Sequence, residues 1–347
     1  MISTYLFEFF HELRDPAARA DPKRVQDHFN WYLDLWTRAE TDGFDGIMFS
    51  EHHFGAGYAP SPNLLIAAMA PRTSTIRLGL VGSVTPYSTP WRMVEEFAML
   101  DHLTGGRFEP GFVSGIPPEL MAAGLGLGEA AERHAEILDV LDKAIALGSE
   151  GAAMSHTGKH WNFSNLRLVP PFLQQDIAVW TAAKSNESAA KAGRRGWKLC
   201  GGFISTADMA TMFDGFRAAA SDAGRSSGPD RLAIRRMVTF VESTADHDSG
   251  VLAGKRYLLD VLNESIGPLP PFAALLDRPE TDSSGLSNDE FVSGTPSEVA
   301  EQLVEQCRAV GASNVMVMYG PTDPTEIAQD HALFAKHVLP VLHQASL

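Results

Sequence analysis

Short apolar runs alternate along this chain with longer stretches whose apolar residues return every three or four positions. STYLFEFF (3–10), dense in aromatic residues, reads as a first strand. VQDHFNWYLDLWTRAETDGF (25–44) has helical spacing and stops at Gly43. DGIMFS (45–50) is a second strand, SPNLLIAAMAPRT (61–73) a helix, and the β-branched, glycine-containing TIRLGLVGSVTP (75–86) a third strand. PWRMVEEFAMLDHLTGG (90–106) opens on proline and closes on glycine, the asymmetry of a helix. RFEPGFVSG (107–115) is a fourth strand, made irregular by Pro110 and Gly111.

The rhythm continues through a helix at 129–148 and an excursion at 150–175 that reads as a hairpin or loop. IAVWTAA (177–183), WKLCGG (197–202), LAIRRMVTFVE (232–242) and NVMVMYG (314–320) are further strands. Helices at 185–195 and 206–222, and one running to about 339, separate or follow them. Eight βα steps without a break in composition predict an α/β chain closed as a (β/α)8 TIM barrel, one domain over 1–347. The stretch 265–296, rich in proline, glycine, serine and acid, interrupts the rhythm. Too little chain follows it to build a second core, so it reads as a long loop, a lid, at the C-terminal face.

Composition changes the picture only at the margins. With 347 residues, 44% hydrophobic and 20% charged, the chain can bury a large core. Its 28 basic and 43 acidic side chains leave a net charge of −15, which argues against nucleic acid or an anionic membrane as partner. Two distant cysteines, Cys200 and Cys307, make neither a disulfide framework nor a metal-ligand spacing, which favours a reducing compartment. The opening MISTYLFEFFHELRDP has no basic leader and no small-residue cleavage site, so the expectation is a cytoplasmic protein.

Candidate chemistry sits where strands end, because barrel enzymes work at the carboxyl ends of their strands. FSEHHFGAG (49–57) places Glu51, His52 and His53 at the end of strand two. A metal site is disfavoured: adjacent residues on extended chain point apart, and no further His, Asp or Cys clusters at the strand ends. Glycine in GLVGSVTP and the small residues of GFVSG suit either a planar ligand lying over two strands or the relief of crowding inside a barrel. In AAKSNESAAKAGRRG, Lys184, Ser185 and Ser188 open a helix, an arrangement that suits an anion or simple capping by Ser185. GLGLG (124–128) follows no strand, so it reads as a loop and not as a dinucleotide fingerprint.

Three stretches then carry a likeness. GFDGIMFSEHHF, the long run PSPNLLIAAMAPRTSTIRLGLVGSVTPYSTPWRMVEEFAMLDHLTGGRFEPGFVSG, and VSGTPSEVAEQL resemble the bacterial luciferase-like flavin-dependent monooxygenases. The likeness is dense over 43–115 and thin in 150–175 and 243–292. It implies a TIM barrel that binds reduced FMN (FMNH2), supplied by a separate flavin reductase. It also implies reaction with O2 through a peroxyflavin to oxygenate a small organic substrate, often in a dimer. By the same likeness His52 faces the flavin and moves protons, with Glu51 orienting a neighbour or the ring. A non-prolyl cis peptide falls at Val81–Gly82, Val113 stands beside the flavin where luciferase has cysteine, and Gly202 and Phe203 form a wall. Phosphate contacts fall to Lys184, Ser185 and Ser188, while Ser114 stands where luciferase has an arginine. The missing cysteine marks a relative of luciferase and not a light emitter.

Two rivals remain at this level. One keeps the barrel and uses a deazaflavin for hydride transfer. The other is a non-catalytic flavin-binding partner subunit, against which the retention of His52 speaks. His11, just past strand one, is a candidate for the substrate pocket, and the substrate itself is not written in any motif.

Overall fold

The computed structural model describes residues 1–55, 57–147, 153–266, 287–320 and 323–347, with side chains described throughout these except at 259–266. Eight parallel strands close into a barrel. The first, Ser3–Glu8, pairs on one side with Gly46–Phe49 and on the other with Asn314–Tyr319. The third and fourth strands each come in two pieces, Arg77–Leu80 with Ser83–Val84 and Phe108–Glu109 with Gly111–Val113. Their lower pieces pair with each other and so do their upper pieces. Gly111–Val113 then joins Trp180–Ala183, and the ring returns through Lys198–Gly201 and Leu232–Phe240 to Asn314–Tyr319. The interruptions in strands three and four are thus breaks in two continuous walls, and the circuit is complete.

Period-two alternation in these strands sorts their side chains into two cores. Tyr5, Phe7, Met48, Trp180, Cys200 and Met316 pack together inside the ring. The residues between them, such as Leu6, Ile47, Leu199 and Val315, face outward against the helices. Each side chain so buried contributes roughly 1.5–3 kcal/mol, enough in sum to offset the ordering of the chain.

Helix ends follow local chemistry. The helix Pro22–Asp42 begins three residues before the run read from the sequence, because Asp21 accepts a hydrogen bond from the Lys23 N–H at 2.9 Å and Pro22 fits the first turn. It ends where Gly43 adopts φ 99°. Ser185 caps Asn186–Arg195, and Gly196 at φ 74° ends it. Strand bounds shrink by one to three residues at most ends, since the pairing stops before the apolar run does.

The excursion, read as a hairpin or loop, contains an antiparallel hairpin, Ala153–Thr157 with Asn162–Arg167. Several other elements differ from the sequence reading. Of the loop expected at 265–296, residues 267–286 lie outside the described residues, but its last part is regular structure. Phe291–Gly294 is a strand that pairs with the upper end of Leu232–Phe240, and Pro296–Val310 is a helix with a Thr295–Glu298 capping box. Within GLGLG, Leu127 already opens the helix Leu127–Leu147. The helices Pro117–Ala122 and His247–Ile266 were not foreseen. No described helix is long and apolar enough to cross a membrane.

Candidate active site

Backbone irregularity concentrates at the carboxyl ends of the barrel strands. Among the described residues four non-glycine residues have positive φ, and three are phenylalanines just beyond strands one, two and six: Phe10 (53°), Phe54 (67°) and Phe203 (64°). Each such residue costs about 1–2 kcal/mol and re-aims a side chain that regular strand geometry would send elsewhere. The Val81–Gly82 peptide is cis.

His52 and His53 diverge, as adjacent residues on extended chain should. His52 Nδ1 lies 3.0 Å from Glu119 Oε1, and its ring meets Phe9 edge-on at 5.1 Å. Its side chain is 28% exposed, so one imidazole edge stays accessible at the mouth. His53 instead lies 3.0 Å from Glu51 Oε1 and packs edge-on against Tyr87. The hydrogen bond to Glu51 raises the pKa of His53 above its ordinary value, against a smaller desolvation effect. The other oxygen of Glu51 accepts the Val84 N–H at 3.1 Å, so this carboxylate ties strand two to strand three. Burial, then the charges of Glu119 and Glu51, push the Tyr87 phenol up to about 12.

The glycines of strands three and four are explained by crowding. A Cβ on Gly82 would stand 2.8 Å from the backbone of Gly111 and Phe112, and one on Gly111 would run into the Leu80 carbonyl. The two walls approach too closely for side chains there, whatever lies above them. Val81 is buried in the inner core, Val113 is half-buried against the cluster of Val84, Leu120, Leu125 and Ala130, and Ser114 is exposed.

Across the mouth a second group converges on Phe203. Arg235 from strand seven lies 3.8 Å and the Lys184 ammonium 4.3 Å from its ring centroid, within cation–π range. Lys184 belongs to an exposed residue, yet its head is drawn inward; desolvation first and the Arg235 charge second lower its pKa, opposed by Glu290. Gly202 makes room for this arrangement, since a Cβ there would sit 2.9 Å from Arg235 Nε. Fully buried Glu290 binds Arg235 Nη2 and accepts the Phe203 N–H at 2.7 Å, sealing the gap where strands six and seven part. Ser185 acts as the helix cap, accepting the Ser188 N–H at 3.3 Å. His11 is buried near Phe9 and Tyr257, with centroids at 5.5 and 5.2 Å, and so lies on the same face as His52.

The mouth is therefore less bare than its glycines suggest, with Phe203 and Arg235 standing in it. Sequence reasoning missed Arg235, Glu290 and Glu119. Two adjacent arginines inside an apolar strand were the available signal for Arg235, because such residues are buried only when paired. Glu119, in the short helix Pro117–Ala122 after strand four, carried none.

Buried polar atoms in this region without a hydrogen-bond partner among the described residues include Glu119 Oε2, the Tyr87 and Tyr257 hydroxyls and Arg235 Nη1. Buried polar groups are ordinarily satisfied, so their clustering at one end of a barrel fits a site for a polar, planar cofactor or substrate. Lys184, Arg235 and the Ser185-capped helix start are positive groups at this end of the barrel, and His52 is an imidazole chemically able to exchange a proton.

Comparison with known proteins agrees with this geometry. The sequence profile of the luciferase-like monooxygenase family matches residues 7–314. The y4wF protein of Sinorhizobium fredii is 32% identical over 304 residues, covering 82% of this chain and 84% of its own length. The oxygenating constituent of 3,6-diketocamphane monooxygenase from Pseudomonas putida, solved with FMN, superposes with a TM-score of 0.74 at 20% identity, covering 98% of each chain. An F420-dependent secondary alcohol dehydrogenase, solved with an F420–acetone adduct, also gives 0.74, at 15% identity and 98% and 99% coverage. At these identities the two solved structures establish the fold and not the cofactor.

Proposed function

The chain belongs to the luciferase-like monooxygenases, and from that premise we propose that it is an oxygenase component that takes reduced FMN from a flavin reductase and oxygenates a small organic substrate with O2. The observation that carries this reading is His52, held at the mouth by Glu119 with one edge accessible. Reduced FMN, when bound, supplies the electrons that activate O2. The protein's part is to hold it, exclude water and manage protons.

Lys184, Ser185 and Ser188 would take the phosphate at the start of Asn186–Arg195. Phe203, carried by its positive φ over the mouth, and Phe9 would supply apolar walls. Val81, Gly82 and Val113 would lie under or beside the ring system, with Gly202 opening the space that Arg235 fills. Glu51 serves from behind by fixing His53 and strand three, and Ser114 can contribute at the exposed rim. His52 would accept or donate the proton that accompanies oxygen transfer.

Protein loaded anaerobically with FMNH2 is mixed with O2 and the return of oxidised-flavin absorbance is followed, alone and against F420 as a competitor. Slow, protein-dependent reoxidation with FMN bound in preference to F420 supports the reading. His52→Ala should lower turnover by about 10²-fold or more, the scale of a lost acid–base group, while changing FMN affinity little. Unchanged turnover in that variant, or preferential binding of F420, would overturn the oxygenase reading.

A further inference from the structure

We propose that Glu119 is a positioning residue for His52: its carboxylate accepts a hydrogen bond from Nδ1–H and so leaves Nε2 as the nitrogen that serves the mouth. An ionised carboxylate only accepts hydrogen bonds, so at 3.0 Å from Glu119 Oε1 the imidazole Nδ1 is the donor. In a neutral imidazole the other nitrogen is then the acceptor. The inference rests on the reading of His52 as the proton-transfer group.

The fold brings the pair together over 67 residues of sequence. Beyond strand four the chain turns at Gly115, at φ 84°, where a Cβ would stand 2.7 Å from Val84 Cγ1. The helix Pro117–Ala122 then returns over the ends of strands two and three. It is anchored by buried Leu120, which packs with Val84, Leu125 and Ala130. Glu119 is 3% exposed, so its position is set by packing and not by solvent.

Stability alone gives no reason for a carboxylate here. Burying one costs several kcal/mol unless both oxygens are satisfied, and an apolar residue of similar volume is often neutral or better. Glu119 Oε2 has no partner among the described residues, and the nearby Tyr87 hydroxyl, whose pKa its charge helps to raise, has none either. By contrast, Glu51 has both oxygens engaged in holding backbone and His53. What Glu119 alone accomplishes is to orient an accessible imidazole and select its tautomer, as a carboxylate does behind a catalytic or metal-bound histidine.

The test uses full-length, cofactor-free protein labelled with 15N at histidine, with the His52 resonances assigned by their loss in His52→Ala. Long-range 15N–1H correlations report which ring nitrogen carries the proton. The expected result is Nδ1–H in the wild type and in Glu119→Gln, whose amide oxygen accepts the same hydrogen bond. A shift to the Nε2–H tautomer is expected in Glu119→Ala. In the FMNH2 reoxidation assay Glu119→Ala should lose about 10–100-fold with FMN affinity kept, Glu119→Gln less, and the double variant with His52→Ala no more than His52→Ala alone. An Nε2–H tautomer in the wild type, or an Nδ1–H tautomer retained in Glu119→Ala, overturns the proposal. If the tautomer switches as expected while His52→Ala keeps full turnover, the positioning stands and the assignment of His52 to the reaction is what fails.

Discussion

The two ends of this barrel are built from the same kinds of residue and use them in opposite ways. At the floor, buried Glu109 accepts from Trp180 Nε1 at 2.6 Å, Arg77 Nε at 3.0 Å and Lys198 Nζ at 3.4 Å, so both of its oxygens are engaged. Arg77 reaches on to the Gly106 carbonyl and Gln174. Burial, then the Glu109 charge, raise the Tyr5 phenol well above its ordinary range, so it stays neutral. At the mouth, Glu119, Tyr87 and Arg235 each keep a buried polar atom unpartnered among the described residues, and three phenylalanines hold costly backbone angles. A saturated network holds a fold together. An unsaturated one, maintained at a cost in stability, is the mark of a surface shaped for something else.

The contrast can be broken first at the floor. Glu109→Ala should destabilise the chain by about 3 kcal/mol, because it strands Arg77, Lys198 and the Trp180 indole, and urea denaturation measures this. FMN affinity should hold in the protein that remains folded. A loss below about 1 kcal/mol, or a selective loss of flavin binding, would make the floor functional.

Glu8 offers a sharper division, since it stands at the mouth end of strand one but on the outer side of the wall, beneath the helix Pro22–Asp42. Burial raises its pKa to about 8, with the Trp36 indole and the Phe10 N–H pulling the other way. Its folded pKa exceeds its unfolded value, so between about pH 4.5 and 8 the folded chain holds a proton that the unfolded chain has released. Stability should therefore fall as pH rises through that window, by up to roughly 1.4 kcal/mol per unit from this group. Glu8→Gln should flatten that slope, read from urea midpoints across the range. An unchanged slope would place Glu8 among the saturated groups after all.

The smallest effect belongs to the strained backbone. Phe54 is 62% exposed at φ 67°, and asparagine tolerates that region better. Phe54→Asn should raise stability by about 0.5 kcal/mol in thermal unfolding while lowering turnover if the ring covers the site. Destabilisation by more than that amount would show the ring to be a packing element, and the strain incidental.

How much of this could be read beforehand depended on the range of the interaction. Eight strand-and-helix steps were legible because alternation within STYLFEFF or LAIRRMVTFVE is a property of neighbours. The EHH stretch was legible as a place where ionisable residues leave a core. The strand Phe291–Gly294 was hidden in a segment whose prolines and glycines read as loop, and only its pairing with the end of strand seven makes it a strand. The glycines of strands three and four could be read two ways, and only the folded walls show the close backbone approach that one of those readings needs.

By itself, then, the order of residues determined the eight strands of the barrel and the positions of His52, Lys184 and Phe203 at strand ends, because these follow from spacing along one backbone. Tertiary structure alone decided that Glu119 stands behind His52, that Arg235 and Lys184 meet over one ring, and that Glu51 is occupied elsewhere. Those pairings depend on strand register and on where the chain returns after each turn, and the physical reason is that a contact across a barrel is set by closure of the whole ring.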